Sequence, residues 1–316
     1  MKTYRNHLPQ LSNELFITDG CVETTLMFHH GYDLPEFAAF DCLSRPGGYQ
    51  ILHDYYLPYV ELARSNGVNF VLESVTWRAS RDWGAKLGYT TQDLREINRA
   101  SISLLEDIRR DHEDGRATMV ISGCIGPRGD GYQVTEKMTA EAAEIYHLDQ
   151  ISTFSNTGAD LVTAFTLNHT EEAIGIVRAA QTSQIPVAIG FTTETDGKLP
   201  SGQGLAEAIT TVDNVTNYGP AYYMINCAHP THFAHVLARG GSWAHRIQAV
   251  RPNPSTKSHA ELDDAEELDA GDPRELGERC AGLMETLPNL NIFGGCCGSD
   301  HRHVEHITNA VTAMAV

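Results

Sequence analysis

Three of the seven cysteines have the spacing of a metal-binding or redox site. Cys296 and Cys297 are adjacent in the segment GGCCG, and Cys227 follows an asparagine further upstream. Three thiolates with one open position suit a catalytic Zn²⁺, and the flanking glycines let the backbone turn both neighbouring sulfurs inward. A thiol-redox protein would more naturally use C-x-x-C, which the sequence lacks. The trio predicts a metal centre, with buried free thiols and a redox pair as the alternatives.

The other four cysteines give weaker signals. Cys21, Cys42 and Cys280 are interpreted as buried core thiols, and so is Cys124, although it also lies at a predicted strand end. The odd cysteine count, in a large chain whose first residues lack an apolar signal segment, favours reduced thiols over a disulfide framework.

Composition excludes several classes of protein. The 316 residues include 41 acidic and 23 basic side chains, for a formal net charge of −18. Nucleic-acid binding requires clusters of Lys and Arg, so we expect no nucleic-acid partner. No apolar window approaches the length of a membrane-spanning helix, so we expect no membrane contact. The sequence predicts a soluble, cytoplasmic protein with a substantial core, since 41% of its residues are apolar; an oligomer is compatible with this composition.

Eight short apolar runs alternate with helical patterns along the chain. Continuous runs rich in Val, Ile, Phe and Ala are typical of buried parallel strands. The runs are 15–18, 69–75, 118–122, 161–165, 187–191, 222–225, 247–250 and 291–293. Eight strand–helix units close a (β/α)8 barrel, whereas a doubly wound sheet usually shows GxGxxG after its first strand, which is absent here. We predict an α/β fold: one TIM-barrel domain over residues 1–316, with a long polar loop at 251–272.

In such a barrel, chemistry occurs where the carboxyl ends of the strands meet. Cys227 follows strand six and the vicinal pair follows strand eight, roughly 10 Å apart between strand axes at ~4.8 Å per neighbour. Other strand ends bring polar side chains to the same rim. We take these as candidate substrate-binding residues: Asp19, Glu73, Thr76, Thr166, Glu194 and Asn226.

Each of the main candidates also has a purely structural interpretation. Asp19 stands ahead of Gly20, where an aspartate commonly forms a turn. The structural interpretation of Glu73 is an ion pair with Arg78. The structural interpretation of Glu194 is a solvated loop carboxylate. Asn226 either contacts substrate or orients the neighbouring ligand cysteine.

At these residues the sequence resembles the homocysteine S-methyltransferase family, the zinc-dependent barrels that methylate homocysteine to methionine. The GGCCG element paired with an upstream Asn-Cys is highly specific, and the other matches keep the family's order over nearly the whole chain. The matching segments are ITDGCVETT (17–25), GCIGPRGDGY (123–132), GADLVTAFT (158–166), IPVAIGFTTETDGKLPSGQGLAEAI (185–209), INCAHP (225–230), VRPNP (250–254) and NIFGGCCGSDHRHVEHI (291–307).

The resemblance implies Zn²⁺ held by Cys227, Cys296 and Cys297, with the homocysteine thiol taking the open position. A free thiol is mostly protonated near pH 7, and metal binding deprotonates it. The zinc-bound thiolate would then attack a methyl group on a cationic donor. Homocysteine and a methyl donor are thus the implied small-molecule partners, and the implied product is methionine. A non-catalytic barrel whose zinc only ties strands six and eight together is the alternative from another class.

Two positions depart from the family pattern. The family usually places a Glu at the end of strand four to hold the homocysteine amino group. This chain has Thr166 there, so Glu73 or Glu194 is the candidate replacement, and another thiol or selenol acceptor stays open. The betaine-using branch has a Tyr where strand two has Arg78, and a cation there would repel a cationic donor. We therefore favour S-methylmethionine or S-adenosylmethionine as donor over betaine; Trp77 either offers an aromatic face or packs behind the barrel.

Overall fold

Eight parallel strands close on themselves in a computed structural model that describes residues 3–134 and 137–315. Each strand pairs with the next along the chain, and the first pairs with the last. The strands are β1 (Phe16–Ile17), β2 (Asn69–Glu73), β3 (Met119–Ile125), β4 (Leu161–Leu167), β5 (Val187–Phe191), β6 (Tyr222–Asn226), β7 (Ile247–Arg251) and β8 (Ile292–Phe293). The predicted (β/α)8 barrel is confirmed.

Helices follow the strands on the outside of the barrel. They are α1 (Val22–Thr24), α2 (Gly48–Asn66), α3 (Arg81–Lys86), α4 (Thr91–His112), α5 (Ala140–Ser155), α6 (Thr170–Thr182), α7 (Leu205–Thr216), α8 (Pro230–Leu237), α9 (His259–Asp263), α10 (Pro273–Leu283) and α11 (His301–Ala315). Short 3₁₀ turns cover Pro9–Leu11, Pro35–Phe37, Ala39–Ser44 and Ser242–Arg246, and a π-helical turn covers Thr25–His29. None of the helices in the described parts of the chain is long and apolar enough to cross a membrane.

Local sequence explains where the longer helices begin. Thr90 caps α4 in a capping box, because its hydroxyl accepts from the Asp93 amide while the Asp93 carboxylate accepts from the Thr90 amide. Thr139 caps α5 through a bond from the Ala142 amide. The predicted loop at 251–272 instead starts within β7 and contains α9, which Ser258 and Glu261 cap in the same way.

Two apolar layers hold the barrel together. One fills its interior with inward-facing strand residues such as Phe16, Val120 and Tyr222, and the other lies between the strands and the helices. Residues on both faces of the strands are therefore buried, which is why the strands appear in the sequence as continuous apolar runs rather than alternating ones. The rigid rim that results positions the polar residues described next.

Candidate metal centre and substrate cavity

The three cysteines predicted to bind metal meet at the carboxyl rim of the barrel. The sulfur atoms of Cys227, Cys296 and Cys297 all lie within 4.8 Å of one another, and Cys227 Sγ is 4.0 Å from Cys297 Sγ. Strand β7, which lies between β6 and β8, draws the first two together. The Cys227 amide donates to Arg251 O at 3.0 Å, and the Cys296 amide donates to Pro252 O at 3.0 Å.

Cys227 and Cys296 are joined as a disulfide, with their Cα atoms 5.2 Å apart. The expectation of reduced thiols is therefore wrong for these two residues, while the other five cysteines are free. The physical reason is the pairing of both backbones with the end of β7, which places the two sulfurs in contact. A disulfide has no thiolate to offer a metal, so this pair is able to share an ion only after reduction.

In the reduced state the residues fit Zn²⁺. Three thiolates are a donor set that zinc prefers, and all three sulfur-bearing residues line an open cavity, which leaves a position for a fourth ligand. We call this space the inner cavity. A buried structural site would close the fourth position with another protein ligand instead.

A hydrogen-bonded pair on strands β4 and β6, Thr166 and Asn226, contacts the sulfur cluster. Thr166 has φ +60°, a left-handed conformation that β-branched residues rarely adopt, and it lies in an irregular stretch of the β4–β5 pairing. Its amide donates to Asn226 Oδ1 at 3.0 Å, and Asn226 Nδ2 donates to Thr166 Oγ1 at 2.8 Å. Strain that is fixed in this way is commonly found at functional sites.

The same two side chains contact the sulfurs. Thr166 Oγ1 donates to Cys227 Sγ at 3.7 Å, and Asn226 Nδ2 lies 3.8 Å from Cys296 Sγ. Thr166 lines the inner cavity, whereas Asn226 is fully buried behind it. Of the two predicted roles for Asn226, the geometry therefore matches the orientation of a cysteine rather than contact with substrate.

Asp19 and Arg251 form a buried ion pair in the wall of the inner cavity. Arg251 Nη2 lies 2.9 Å from Asp19 Oδ1, and the Tyr55 hydroxyl donates to Asp19 Oδ2 at 2.8 Å. Arg251 also donates to the carbonyls of Gly20 and Gly295, so it ties β7 to the ends of β1 and β8. Burial raises the pKa of Asp19, and Arg251 opposes that rise.

Glu73 is the second carboxylate of this wall. Its side chain is buried, and its Oε2 atom has no hydrogen-bond partner in the described part of the chain. Burial raises the pKa of Glu73 to about 7, although Arg251 acts in the opposite direction. The alternative ion pair with Arg78 does not form, because the Arg78 guanidinium instead lies over the rings of Trp77 and Trp83.

Besides Asn226, two further predicted residues, Thr76 and Glu194, lie outside the inner cavity. Thr76 is fully buried, and its hydroxyl donates to Cys124 O at 2.7 Å, so it supports the wall from behind. Glu194 follows β5 on a partly exposed turn, where burial and the neighbouring Asp196 raise its pKa. Trp77 and Cys124, whose roles the sequence left open, both line the cavity.

Cys21, Glu23 and Tyr132 also line the inner cavity near Cys297, and the sequence did not predict them as site residues. Cys21, interpreted as a core thiol, lies in hydrogen-bonding contact with Cys297 and 3.4 Å from Glu23 Oε2. The Tyr132 hydroxyl is 3.5 Å from Cys297 Sγ. Hydrogen bonds from Cys21 and Tyr132 lower the pKa of the Cys297 thiol, which favours the thiolate that a metal requires. The sequence positions of Cys21 and Glu23 could have indicated that they reach the cavity, since both come shortly after the rim residue Asp19.

Comparison with known proteins identifies a family and a similar fold. The family model described as Homocysteine S-methyltransferase matches residues 16–311. Three crystal structures of the homocysteine methyltransferase MmuM from Escherichia coli have a similar fold at 16% sequence identity. The oxidised form has a TM-score of 0.74 over 99% of both chains; the metallated form has 0.70 over 94% of this chain and 96% of the other. Among curated proteins, none matches. The chain belongs to the homocysteine S-methyltransferase family, whose members are methyltransferases that act on homocysteine.

Proposed function

We propose that the protein is a Zn²⁺-dependent methyltransferase that moves a methyl group from a sulfonium donor to the thiol of homocysteine, giving methionine. One observation carries the proposal: the sulfurs of Cys227, Cys296 and Cys297 lie within 4.8 Å of one another on the wall of an open cavity. Membership of the family supports homocysteine as the methyl acceptor.

The chain's own residues prepare the sulfur cluster for this role. Zn²⁺ bound by the three thiolates would supply the deprotonation of the incoming thiol near neutral pH. Thr166 and Asn226 contact the sulfurs of Cys227 and Cys296, which orients them and disperses their negative charge. Reduction of the disulfide between these two cysteines is a precondition for activity.

Glu73 is the residue that we assign to the homocysteine amino group. Asp19 is already paired with Arg251, and Glu194 lies outside the inner cavity, whereas Glu73 Oε2 is buried there without a partner. An ammonium group satisfies such a carboxylate by a charge-assisted hydrogen bond and stabilises its ionised form. Glu73 thereby replaces the family's strand-four Glu, at whose position this chain has Thr166.

The transfer itself needs no acid, base or oxidant. The acceptor sulfur forms a bond to the methyl carbon with its own electron pair, while the donor's S–CH₃ bond breaks and leaves its electron pair on the donor sulfur. The donor becomes a neutral thioether. The protein therefore contributes positioning of the two sulfurs in line with the methyl carbon, together with exclusion of water.

A donor panel tests this function. Reduced, zinc-loaded protein is incubated with homocysteine and S-methylmethionine, S-adenosylmethionine or betaine, and methionine is measured. We expect methionine from a sulfonium donor, and loss of activity in Cys297→Ala. A metal-free protein with full activity would refute the proposal.

A non-catalytic barrel is the second candidate, because Cys227 and Cys296 both bond to the end of β7 and a metal would fasten β6 to β8 there. In that case thermal stability would follow zinc content, and no donor would yield methionine.

A further inference from the structure

A second cavity opens directly outside the first. Its volume is about 330 Å³, and we call it the outer chamber. The two cavities share four lining residues, so they meet at the sulfur cluster: Phe37, Trp77, Tyr132 and Cys297. A molecule in the outer chamber would therefore face the sulfur of a substrate held in the inner cavity.

The walls of the outer chamber attract cations. Asp130, Asp263 and Glu267 line it, and burial together with the charge of Asp130 raises the pKa of Asp263. Asp269 also lines it but is paired with Lys257 at 3.3 Å. Carboxylates that repel each other across a cavity are stabilised by a positive ligand between them.

An unpartnered acceptor lies at the end of the chamber next to the sulfurs. Asn253 is buried, and its Nδ2 donates to Cys227 O at 3.2 Å. Its Oδ1 has no hydrogen-bond partner in the described residues. A buried carbonyl oxygen without a partner is costly unless a ligand satisfies it, and its partial negative charge suits the methyl groups of an onium ion.

Arg78 provides the opposite charge elsewhere in the same wall. Its guanidinium carbon lies 4.2 Å from the ring centre of Trp77 and 3.4 Å from that of Trp83. Its Nε and Nη1 atoms are buried and have no hydrogen-bond partner in the described part of the chain. A stacked guanidinium presents its donors edge-on in a rigid fork, which matches the geometry of a carboxylate.

We propose that the outer chamber is the methyl-donor site and that Arg78 selects sulfonium donors that carry a carboxylate. This inference rests on the proposed function. Arg78 binds the carboxylate, and the sulfonium end lies towards Asn253 and Cys297, where the acidic wall offsets its charge. The positive charge of Arg78 thus orients a zwitterionic donor instead of repelling it, so the repulsion expected from the sequence does not separate sulfonium donors from betaine. Among sulfonium donors, one without a carboxylate binds weakly.

Tryptophan fluorescence measures this binding without any methyl transfer. Two of the three tryptophans, Trp77 and Trp83, enclose Arg78, so a ligand at Arg78 changes their emission. Reduced, zinc-loaded protein without homocysteine is titrated with S-methylmethionine and with its methyl ester, which keeps the sulfonium and lacks the carboxylate. We expect S-methylmethionine to bind about tenfold more tightly or better, because a hydrogen bond to a charged group contributes ~1.5–3 kcal/mol.

Arg78→Met removes the guanidinium and should bring the two ligands to equal affinity. Arg81→Met is the matched control, since Arg81 is exposed and does not line the chamber; it should keep the tenfold preference. Equal affinities in the unmodified protein, or a preference that survives Arg78→Met, would overturn the inference.

Asp263→Asn is the second variant, for the case that Arg78→Met fails to fold. Asp263 is exposed on α9, so this change should not impair folding. It should weaken the binding of both ligands by the same factor, since each keeps its sulfonium group. Unchanged affinities would contradict a donor site in this chamber.

The outcomes also separate the two proposals. Carboxylate-dependent binding without methionine formation refutes the proposed function alone, whereas equally fast methyl transfer from the acid and the ester refutes the role of Arg78 alone.

Discussion

Thr166 and Asn226 hold each other through two hydrogen bonds that reach across strand β5. The Thr166 amide donates to Asn226 Oδ1 at 3.0 Å, and Asn226 Nδ2 donates to Thr166 Oγ1 at 2.8 Å. The pair keeps Thr166 at φ +60° and directs both side chains to the sulfurs of Cys227 and Cys296. Two strands that are not neighbours are thereby joined beside the sulfur cluster.

Asn226→Ala should weaken zinc binding by roughly 10–100-fold, the usual effect of losing a group that orients a metal ligand. Competition with a chelator, on reduced protein, measures this affinity. Asn214→Ala on the exposed face of α7 is the control and should leave the affinity unchanged. If Asn226→Ala binds zinc as tightly as the parent protein, the pair does not support the metal centre.

Gly190→Ala should destabilise the barrel, because Gly190 on β5 makes room for this crossing. An added Cβ would lie 2.8 Å from Asn226 Oδ1, 2.8 Å from Ala164 O and 2.7 Å from Met224 Cε. Relieving such contacts in a packed interior costs ~1–3 kcal/mol, measured as the free energy of unfolding in denaturant. Gly282→Ala, where a Cβ meets open space, should not destabilise the protein; equal effects of the two changes would show that the crossing is not tightly packed.

Glu73→Gln should raise KM for homocysteine tenfold or more and change kcat little, because the amide keeps the shape of the side chain and loses its charge. The control is Glu194→Gln, which lies outside the inner cavity and should leave KM unaltered. Steady-state kinetics with saturating donor give both constants. The reverse result, with Glu194 controlling KM, would move the ammonium site to the turn after β5.

Glu73 should also make stability depend on pH. Its folded-state pKa of about 7 exceeds the ordinary value of 4.5, so between these values the folded protein binds the proton more tightly than the unfolded chain does. Folding stability therefore falls as pH rises through this window, by about 3 kcal/mol in total for this group. The difference in unfolding free energy between the parent protein and Glu73→Gln should change by that amount from pH 4 to pH 8. A pH-independent difference would contradict the raised pKa of this buried carboxylate.

The barrel and the clustering of Cys227, Cys296 and Cys297 could be predicted from the sequence, because each depends on local pattern. All eight strands are buried on both faces and appear as apolar runs, and the pair Cys296–Cys297 is flanked by glycines. Distances that depend on strand pairing could not be predicted. The strand axes suggested a separation of roughly 10 Å, whereas Cys227 and Cys296 have Cα atoms 5.2 Å apart because both bond to the end of β7.

The polar residues of the site were predicted less completely. Asp19 and Glu73 lie at the carboxyl ends of strands, where the residues of a barrel's active site are expected, and both are found in the cavity wall. Glu194 fails to reach it because the turn after β5 carries the side chain away, and a rim position alone does not fix direction. Cys21 reaches Cys297 only through the closure of β1 against β8, a contact between the two ends of the chain.

Zinc K-edge X-ray absorption on the reduced, zinc-loaded protein tests the central claim most directly. We predict three sulfur neighbours at about 2.3 Å, rising to four when homocysteine is added, because Cys227, Cys296 and Cys297 leave one position for the substrate thiol. A sulfur count below three, or one that homocysteine does not change, would contradict a three-cysteine centre that binds the acceptor.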